Sequence, residues 1–582
     1  MTLTIQVRRG TYYDSVVLMQ LQRALLALPG VRDAGVVMGT PANFDLLRQS
    51  NLLIDPPRDA RAEDLIIALR ADSDASAEAA LAQIDALLAR RSTPTDSEYR
   101  PRSIESAARM SPNATWVLVS TPGRYAARVA RDALDLAKNV FLFSDNVPLD
   151  QEIVLKQIAA QKGLLVMGPD CGTAIISGAA LGFANRVRRG NIGIVGAAGT
   201  GIQTVAARIH NLGGGISHAL GTGSRDLSDA VGAITARQSL ALLARDPATD
   251  VIVLISKPPS PAIAEMLLRA ARAIAKPVVI DFIGYVPEKN RDDNLFFART
   301  LSDAAELAIE CVPSFPSVPL FPGTEMKEQR EIRKLSGYFR ALYSGGTLAY
   351  EAQLILRDYL DTIYSNAPLL TTNQLPLTSV SQAHTILDLG ADEFTVGRLH
   401  PMLDNDLRIR RLHQEARDPE VAIILLDVVL GFGAHPDPAR ELAPAIADAR
   451  ATRSIEIVAV VIGTDDDPQN ASAQIAQLQN AGARVFTDHA AAVRAVGEMI
   501  GKKSERIEKI ERLEIRDSEI VALIIAPNIS LDTPFAAINV GLESFYESLK
   551  QQNQDAVHVD WQPPAGGNEK MIALLEKLKR NL

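Results

Sequence analysis

The sequence predicts an α/β protein made of several doubly wound, largely parallel sheets, with a small α+β domain at the N-terminus. Three observations point there. Apolar strands alternate with amphipathic helices through the middle of the chain, as a parallel sheet covered by helices requires. Aliphatic residues far outnumber aromatics, which are 5% of the 582 residues. A cassette of strand, glycine turn and helix occurs three times, at 191–203 (NIGIVGAAGTGIQ), 338–353 (YFRALYSGGTLAYEAQ) and 423–439 (IILLDVVLGFGAHPDPA).

Taken in order, residues 1–100 read as a small α+β domain, with strands at 3–8, 33–38 and 64–70 and helices at 15–28 and 76–91. The polar stretch 90–112 loses periodicity and reads as a linker. Residues 113–187 give strands at 115–120, 140–143 and 164–167, with helices from 124 and 149. A second α/β unit, 190–312, carries the first cassette and strands at 216–220, 250–256 and 277–283. The proline-rich segment 313–322 separates it from a third unit, 335–500, with the other two cassettes. The charged run 501–519 reads as a solvated helix or linker. A small C-terminal α/β piece, 520–582, has two strand-like runs and an amphipathic helix from 568.

Composition narrows the function. A net charge of −9 supplies no broad basic face, which argues against nucleic acid and anionic membrane as partners. Two cysteines, Cys171 and Cys311, cannot build a disulfide framework and fit a reducing compartment. The opening MTLTIQVRRGTYYDS has no apolar signal core, and no run reaches membrane-spanning length, so a cytoplasmic protein is expected.

Each cassette directs unsatisfied backbone N–H groups and the positive end of a helix dipole at one spot, which suits an anion. Gly196, Gly199 and Gly201, with Thr200, form the first candidate cradle. Ser344, Gly345, Gly346 and Thr347 form the second, and Gly431 and Gly433 the third. Packing alone explains glycine in a single strand-to-helix turn. Three such turns favour a phosphate or acyl-phosphate site.

Four side chains near these turns are candidate catalytic groups. Arg225 could clamp a carboxylate or phosphate, or form a surface pair with Asp226 or Asp229. Lys257 lies at the carboxyl end of a strand, the side on which open α/β sheets bind ligands. Arg398 and His400 together make an anion or acid–base pair. His435 reads as a turn cap, and Cys171, with no basic partner, as a small buried residue. No cluster has metal-ligand spacing, so no metal is expected.

The segments GLLVMGPDCGTAIISG (163–178) and NIGIVGAAGTGIQTVAARI (191–209) resemble the α subunit of succinyl-CoA synthetase. LDLGADEFTVGRLHPMLD (387–404) through LLDVVLGFGAHPDPA to VVIGTDDDPQNASAQI resembles the ligase domain of its β subunit. MGTPAN, LFSDNVPLDQEI, GTGIQ, SKPP, YSGGTLAYEA, INVGLESF and WQPPAGGNEKMIALLEKL are similar, in order, to the FdrA proteins. The resemblance implies Rossmann/flavodoxin-like domains in a succinyl-CoA-synthetase-like arrangement. In that arrangement 113–187 is a CoA-binding-like domain lacking the CoA glycine loop, 190–312 an α-subunit-type and 335–500 a β-subunit-type ligase-like domain.

The parent ligases carry phosphate on a histidine after the strand matching 277–283, but no histidine lies between His218 and His384. No nucleotide-grasp domain is expected either. The FdrA resemblance implies instead a component of oxamate carbamoyltransferase, acting in purine and allantoin breakdown, with phosphate or carbamoyl phosphate as substrate. Accessory protein subunits and an oligomeric state are expected. One alternative is an ADP-forming acyl-CoA synthetase using CoA and ATP, with His400 replacing the missing histidine. Another is a non-catalytic scaffold or metabolite sensor.

Overall fold

A computed structural model of the chain describes all residues except 11–14, 40–42, 45–46, 49, 54, 56, 58, 62–63, 90–98, 286, 288, 314–332, 376–379, 396–398, 502–526 and 564–582. The run 501–519 beyond its first residue, most of 313–322 and the helix expected from 568 lie outside the described residues. The chain forms two compact units, one of residues 1–98, 326–430 and 434–507 and one of residues 99–325, 431–433 and 508–582.

The first unit begins with a three-stranded antiparallel sheet in the order Thr2–Arg8, Leu65–Ala71, Val31–Met38. The central strand is buried on both faces, which explains its nearly unbroken apolar sequence, LIIALRA. One face packs on Leu18, Leu21 and Leu25 of the Ser15–Leu26 helix, the other on Phe44, Leu47 and Leu52. The helix expected over 76–91 starts earlier, at Asp74, because Ser73 accepts the N–H of Ser76 as an N-cap; it breaks at Gln83 and resumes as Ile84–Ala89.

The same unit contains a six-stranded, fully parallel sheet. Its order is Tyr364–Ser365, Thr385–Asp388, Tyr338–Tyr343, Val421–Val429, Glu456–Ile462, Arg484–Phe486. The chain enters at Tyr338–Tyr343, fills one side, then returns to fill the other. The order therefore reverses between Tyr338–Tyr343 and Val421–Val429, and such a reversal opens a crevice at the carboxyl edge. The N-terminal sheet is joined to this part by a two-pronged pair, with Arg410 Nη2 2.9 Å from Asp33 Oδ1 and Arg410 Nη1 3.3 Å from Asp33 Oδ2.

The second unit has an eight-stranded sheet with a parallel centre: Ile216–Gly221, Arg189–Gly196, Val251–Ser256, Val278–Phe282 and Leu295–Phe297. Here the reversal falls between Arg189–Gly196 and Val251–Ser256. An antiparallel hairpin, Thr173–Ile176 with Ala179–Gly182, extends one edge. The sequence reading missed it, since two four-residue strands joined by Ser177–Gly178 carry little periodic signal.

A five-stranded parallel sheet completes the second unit, in the order Asp555–Val559, Ala536–Val540, Trp116–Val119, Asn139–Leu142, Val166–Met167. The C-terminal strands are thus no separate piece. They pair with Trp116–Val119 and cover an edge that the 113–187 segment leaves open. The expected linker 90–112 is also corrected in its second half, where Ile104–Met110 is a helix capped by Ser103 that buries Ile104 and Ala107.

A buried charge cluster ties the two sheets of this unit together. Lys156 Nζ lies 2.7 Å from Asp226, 3.0 Å from Glu152 and 3.1 Å from the Thr222 carbonyl oxygen. All three charged side chains are fully buried. Replacing Lys156 by Ala leaves two carboxylates in a dry site, and the expected cost is about 3–5 kcal/mol. Chemical denaturation of Lys156→Ala should show a correspondingly lower midpoint; an unchanged midpoint would mean the cluster is hydrated.

Candidate functional site

In the second unit the strand Arg189–Gly196 ends at the reversal and the helix Gly199–Asn211 begins three residues later. Gly196 is glycine for packing, because a Cβ there would stand 2.6 Å from Ile202 of the same cassette. Its close approach lets the helix settle on its own strand. Ala198 occupies the N-cap in extended conformation, and no side chain caps the helix. The first-turn N–H groups of Gly199, Thr200 and Gly201 therefore present positive potential at the carboxyl edge. Gly199 lies against the hairpin, where a Cβ would stand 3.1 Å from Thr173 Oγ1.

Across the reversal, Ile255 is the register partner of Gly196, so Ser256 and Lys257 emerge beside the helix start. Lys257 is exposed. Arg225, from the edge after Ile216–Gly221, is already engaged. Its Nη2 donates to the Val147 carbonyl oxygen at 2.7 Å and pairs with Glu152 at 2.9 Å. The alternative surface pair with Asp226 does not form, since the Asp226 carboxylate accepts from Lys156 and from the N–H groups of Thr235 and Ala236.

The second cassette differs in the first unit. The Ser344 N–H donates to both oxygens of Asp427, at 2.9 and 3.2 Å, and Ser344 Oγ donates to Asp427 Oδ2 at 2.7 Å. Asp427 comes from Val421–Val429, the strand across the reversal, and Arg408 Nη2 meets it at 3.1 Å. The anion expected at Ser344 is supplied by the chain itself, which corrects the reading of Ser344 as a ligand contact. Gly345 is the helix N-cap, Gly346 the first helical residue and Thr347 is buried. Behind them Tyr343 Oη lies 2.7 Å from His489 Nε2, and His489 Nδ1 pairs with Glu351, all within the interior. Burial, with Asp427 and Glu351 nearby, pushes the Tyr343 phenol well above its ordinary range.

His400 reaches this cluster, whereas Arg398 lies outside the described residues. A Cβ on Gly390 would stand 2.4 Å from the Ser344 carbonyl oxygen and 2.9 Å from His400 Nε2, so only glycine fits between them. His400 Nδ1 accepts the Met402 N–H at 3.2 Å, which leaves the proton of the neutral ring on Nε2. Burial, reinforced by the positive Arg408, lowers its pKa to about 4. His400 is thus a neutral hydrogen-bond donor at neutral pH, poorly suited to attack phosphorus.

The third cassette is not an anion turn, because its helix begins only at Pro438. Gly431 and Gly433 have φ of +122° and +73°, and a Cβ on them would strike the carbonyl oxygens of Ala184 and Gly182 at 2.5 and 2.2 Å. Both are required by packing against the segment after the hairpin, where Phe432 bridges to Ala184. His435 Nδ1 accepts the Asp437 N–H and its Nε2 lies 3.1 Å from Glu441. Cys171 is buried, which raises its thiol pKa to about 12 and makes it unreactive.

Comparison with known proteins places these parts. A CoA-ligase family model matches residues 342–499 and a CoA-binding domain model residues 187–284. The latter match falls on the unit read as an α-subunit-type ligase domain, not on 113–187, where the sequence places a CoA-binding-like domain. The model for the AllF heavy metal-associated domain matches residues 1–103. That segment contains neither Cys nor His, so it supplies no thiolate or imidazole to a soft metal. Among the described residues no group of three or more His, Cys, Asp or Glu is placed to hold a metal, and no helix is long and apolar enough to cross a membrane.

The fold and family matches define an acyl-CoA synthetase-like protein of the FdrA type. The chain belongs to the family of the uncharacterized protein YahF of Escherichia coli (strain K12), with which it shares 41% identity over 495 residues, 83% of this chain and 95% of that one. It is 27% identical over 175 residues to the malate–CoA ligase α subunit of Methylorubrum extorquens, covering 29% of this chain and 58% of the subunit. Among solved structures it resembles ATP citrate lyase from Methanothrix soehngenii in complex with citrate and coenzyme A, at 20% identity and TM-score 0.28, over 36% of each chain. The dinucleotide-forming acetyl-coenzyme A synthetase 1 of Ca. Korarchaeum cryptofilum matches at 16% identity and TM-score 0.28, over 66% of this chain and 82% of that one. The chain therefore spans about a third of the lyase.

The depressed pKa of His400 carries a stability signature. Between about 4 and the ordinary value of 6.5 the unfolded chain binds a proton that the folded chain refuses. Stability contributed by neutral His400 is full above 6.5 and is lost as pH falls towards 4. In His400→Gln the decline of the denaturation midpoint over that window should be shallower than in the parent chain; an identical slope would mean that His400 titrates normally.

Proposed function

We propose that this chain is the group-transfer component of an enzyme that uses an acyl phosphate, in the first instance carbamoyl phosphate with oxamate. The observation that carries the reading is the uncapped start of the Gly199–Asn211 helix beside Lys257, with no histidine in the sequence between the strand Val278–Phe282 and His384. Such a site holds phosphate and stabilises charge without taking the phosphoryl group onto the protein.

In the proposed reaction the oxamate nitrogen attacks the carbamoyl carbon and forms the new C–N bond. The C–O bond to phosphate breaks, phosphate leaves with the electron pair, and the nitrogen loses its proton to phosphate or water. N-carbamoyl oxamate and inorganic phosphate result, and the reverse reaction is phosphorolysis. Positioning and backbone donors contribute most of what this chemistry needs. Accessory subunits, an oligomeric assembly and a cytoplasmic setting belong to the same proposal.

A second reading is an ADP-forming acyl-CoA ligase, which the CoA-binding and CoA-ligase family matches favour. It needs a phosphate carrier, and the neutral, Nε2-protonated His400 is a poor one.

Calorimetric titration of the full chain with carbamoyl phosphate, phosphate, CoA and ATP separates the two. The transferase reading predicts binding of the two phosphates, weakened about tenfold in Lys257→Gln through loss of one charge-assisted contact. Binding of CoA and ATP with no response to carbamoyl phosphate would give the site to the ligase.

A further inference from the structure

Gln203 is 1% exposed, and neither its amide nitrogen nor its amide oxygen hydrogen-bonds to any described residue. Leaving a buried amide unpaired is costly, so it asks for a partner. Its position supplies a direction. Gln203 lies four residues after Gly199, on the same helix face, and side chains on a helix lean towards its N-terminus. The amide is therefore directed towards the first turn, where Gly199 carries no side chain of its own and lies against the hairpin at Thr173. Ser256, across the reversal, is likewise 1% exposed, and its Oγ has no described partner.

We infer that Gln203 is the specificity-determining residue of this site and that it recognises the carbamoyl group of the substrate. The inference rests on the proposed phosphate seat at Gly199–Gly201. With the phosphate on the backbone N–H groups of the first turn, the planar amide end of the carbamoyl group lies towards the Gln203 side chain one turn below. The Gln203 oxygen accepts a carbamoyl N–H and its amide nitrogen donates to the carbamoyl oxygen, a two-bond match of one amide to another. An acetyl group offers the same oxygen but puts a methyl where the N–H is needed, leaving the Gln203 oxygen unpaired. Sites that hydrogen-bond a substrate N–H reject the analogue lacking it far more strongly than apolar pockets discriminate by size.

The test compares carbamoyl phosphate, acetyl phosphate and inorganic phosphate as ligands of the full chain, with Gln203→Met, which keeps the length and removes both polar atoms, and Gln203→Glu, which removes the donor. The parent chain should bind carbamoyl phosphate at least about tenfold more tightly than acetyl phosphate, roughly the worth of one unmade hydrogen bond. Gln203→Met should bring that ratio to near one while inorganic phosphate binds within about twofold of the parent and the melting temperature does not fall. Gln203→Glu should weaken carbamoyl phosphate and acetyl phosphate alike, since both lose the donor to their carbonyl oxygen, and should keep the preference for carbamoyl phosphate, whose N–H the carboxylate still accepts. A ratio near one in the parent, or one that survives in Gln203→Met, overturns the role of Gln203 and leaves the phosphate seat standing. Failure of all three phosphates to bind overturns the seat and the inference together. A large drop in melting temperature with the ratio intact would make Gln203 structural.

Discussion

Strand order constrains the chemistry of this chain more than any single contact. In both larger sheets that carry a glycine cassette the chain enters the parallel part in the middle, builds one side and returns to build the other, so the carboxyl edge parts where the direction of building changes. The first strand after entry feeds a helix whose N-terminus must stand at that parting. Backbone donors, a dipole end and the side chains of the strand across the reversal are thereby delivered to one place before any catalytic residue is chosen.

The two partings have been used differently. In one unit Asp427 reaches across and takes the Ser344 N–H and hydroxyl, with Arg408 balancing its charge. In the other, Ser256 ends the strand across the reversal with Lys257 just beyond it, and no side chain caps the Gly199 helix. An internal anion makes the first a fixed structural joint. In the proposed reading the lysine makes the second receptive to an anion from solution.

Much of the architecture was legible because helices and parallel strands announce themselves through periodicity and apolar runs. The strands read at 216–220, 250–256 and 277–283 lie within a residue of Ile216–Gly221, Val251–Ser256 and Val278–Phe282. What escaped was long-range pairing. Nothing local in Ala536–Val540 says that it pairs with Trp116–Val119, and the hairpin after Gly172 is too short to show a pattern. The glycines were legible as glycines but not as to their reason: Gly196 makes room for Ile202, and Gly431 and Gly433 for a neighbouring backbone. Asp427 looked like one more residue of an apolar strand, and Gln203 like one more helix residue. Only the partners they have, or lack, in three dimensions mark them.

The account is tested most directly by locating an anion within the molecule. A crystal structure of the chain soaked with tungstate, a heavy-atom analogue of phosphate, should show anomalous density on the N–H groups of Gly199–Gly201, near Lys257 and away from Ser344. Density at Gly345–Gly346 or Gly431–Gly433 with none at Gly199 would contradict it, because the anion would then occupy a turn whose role is structural.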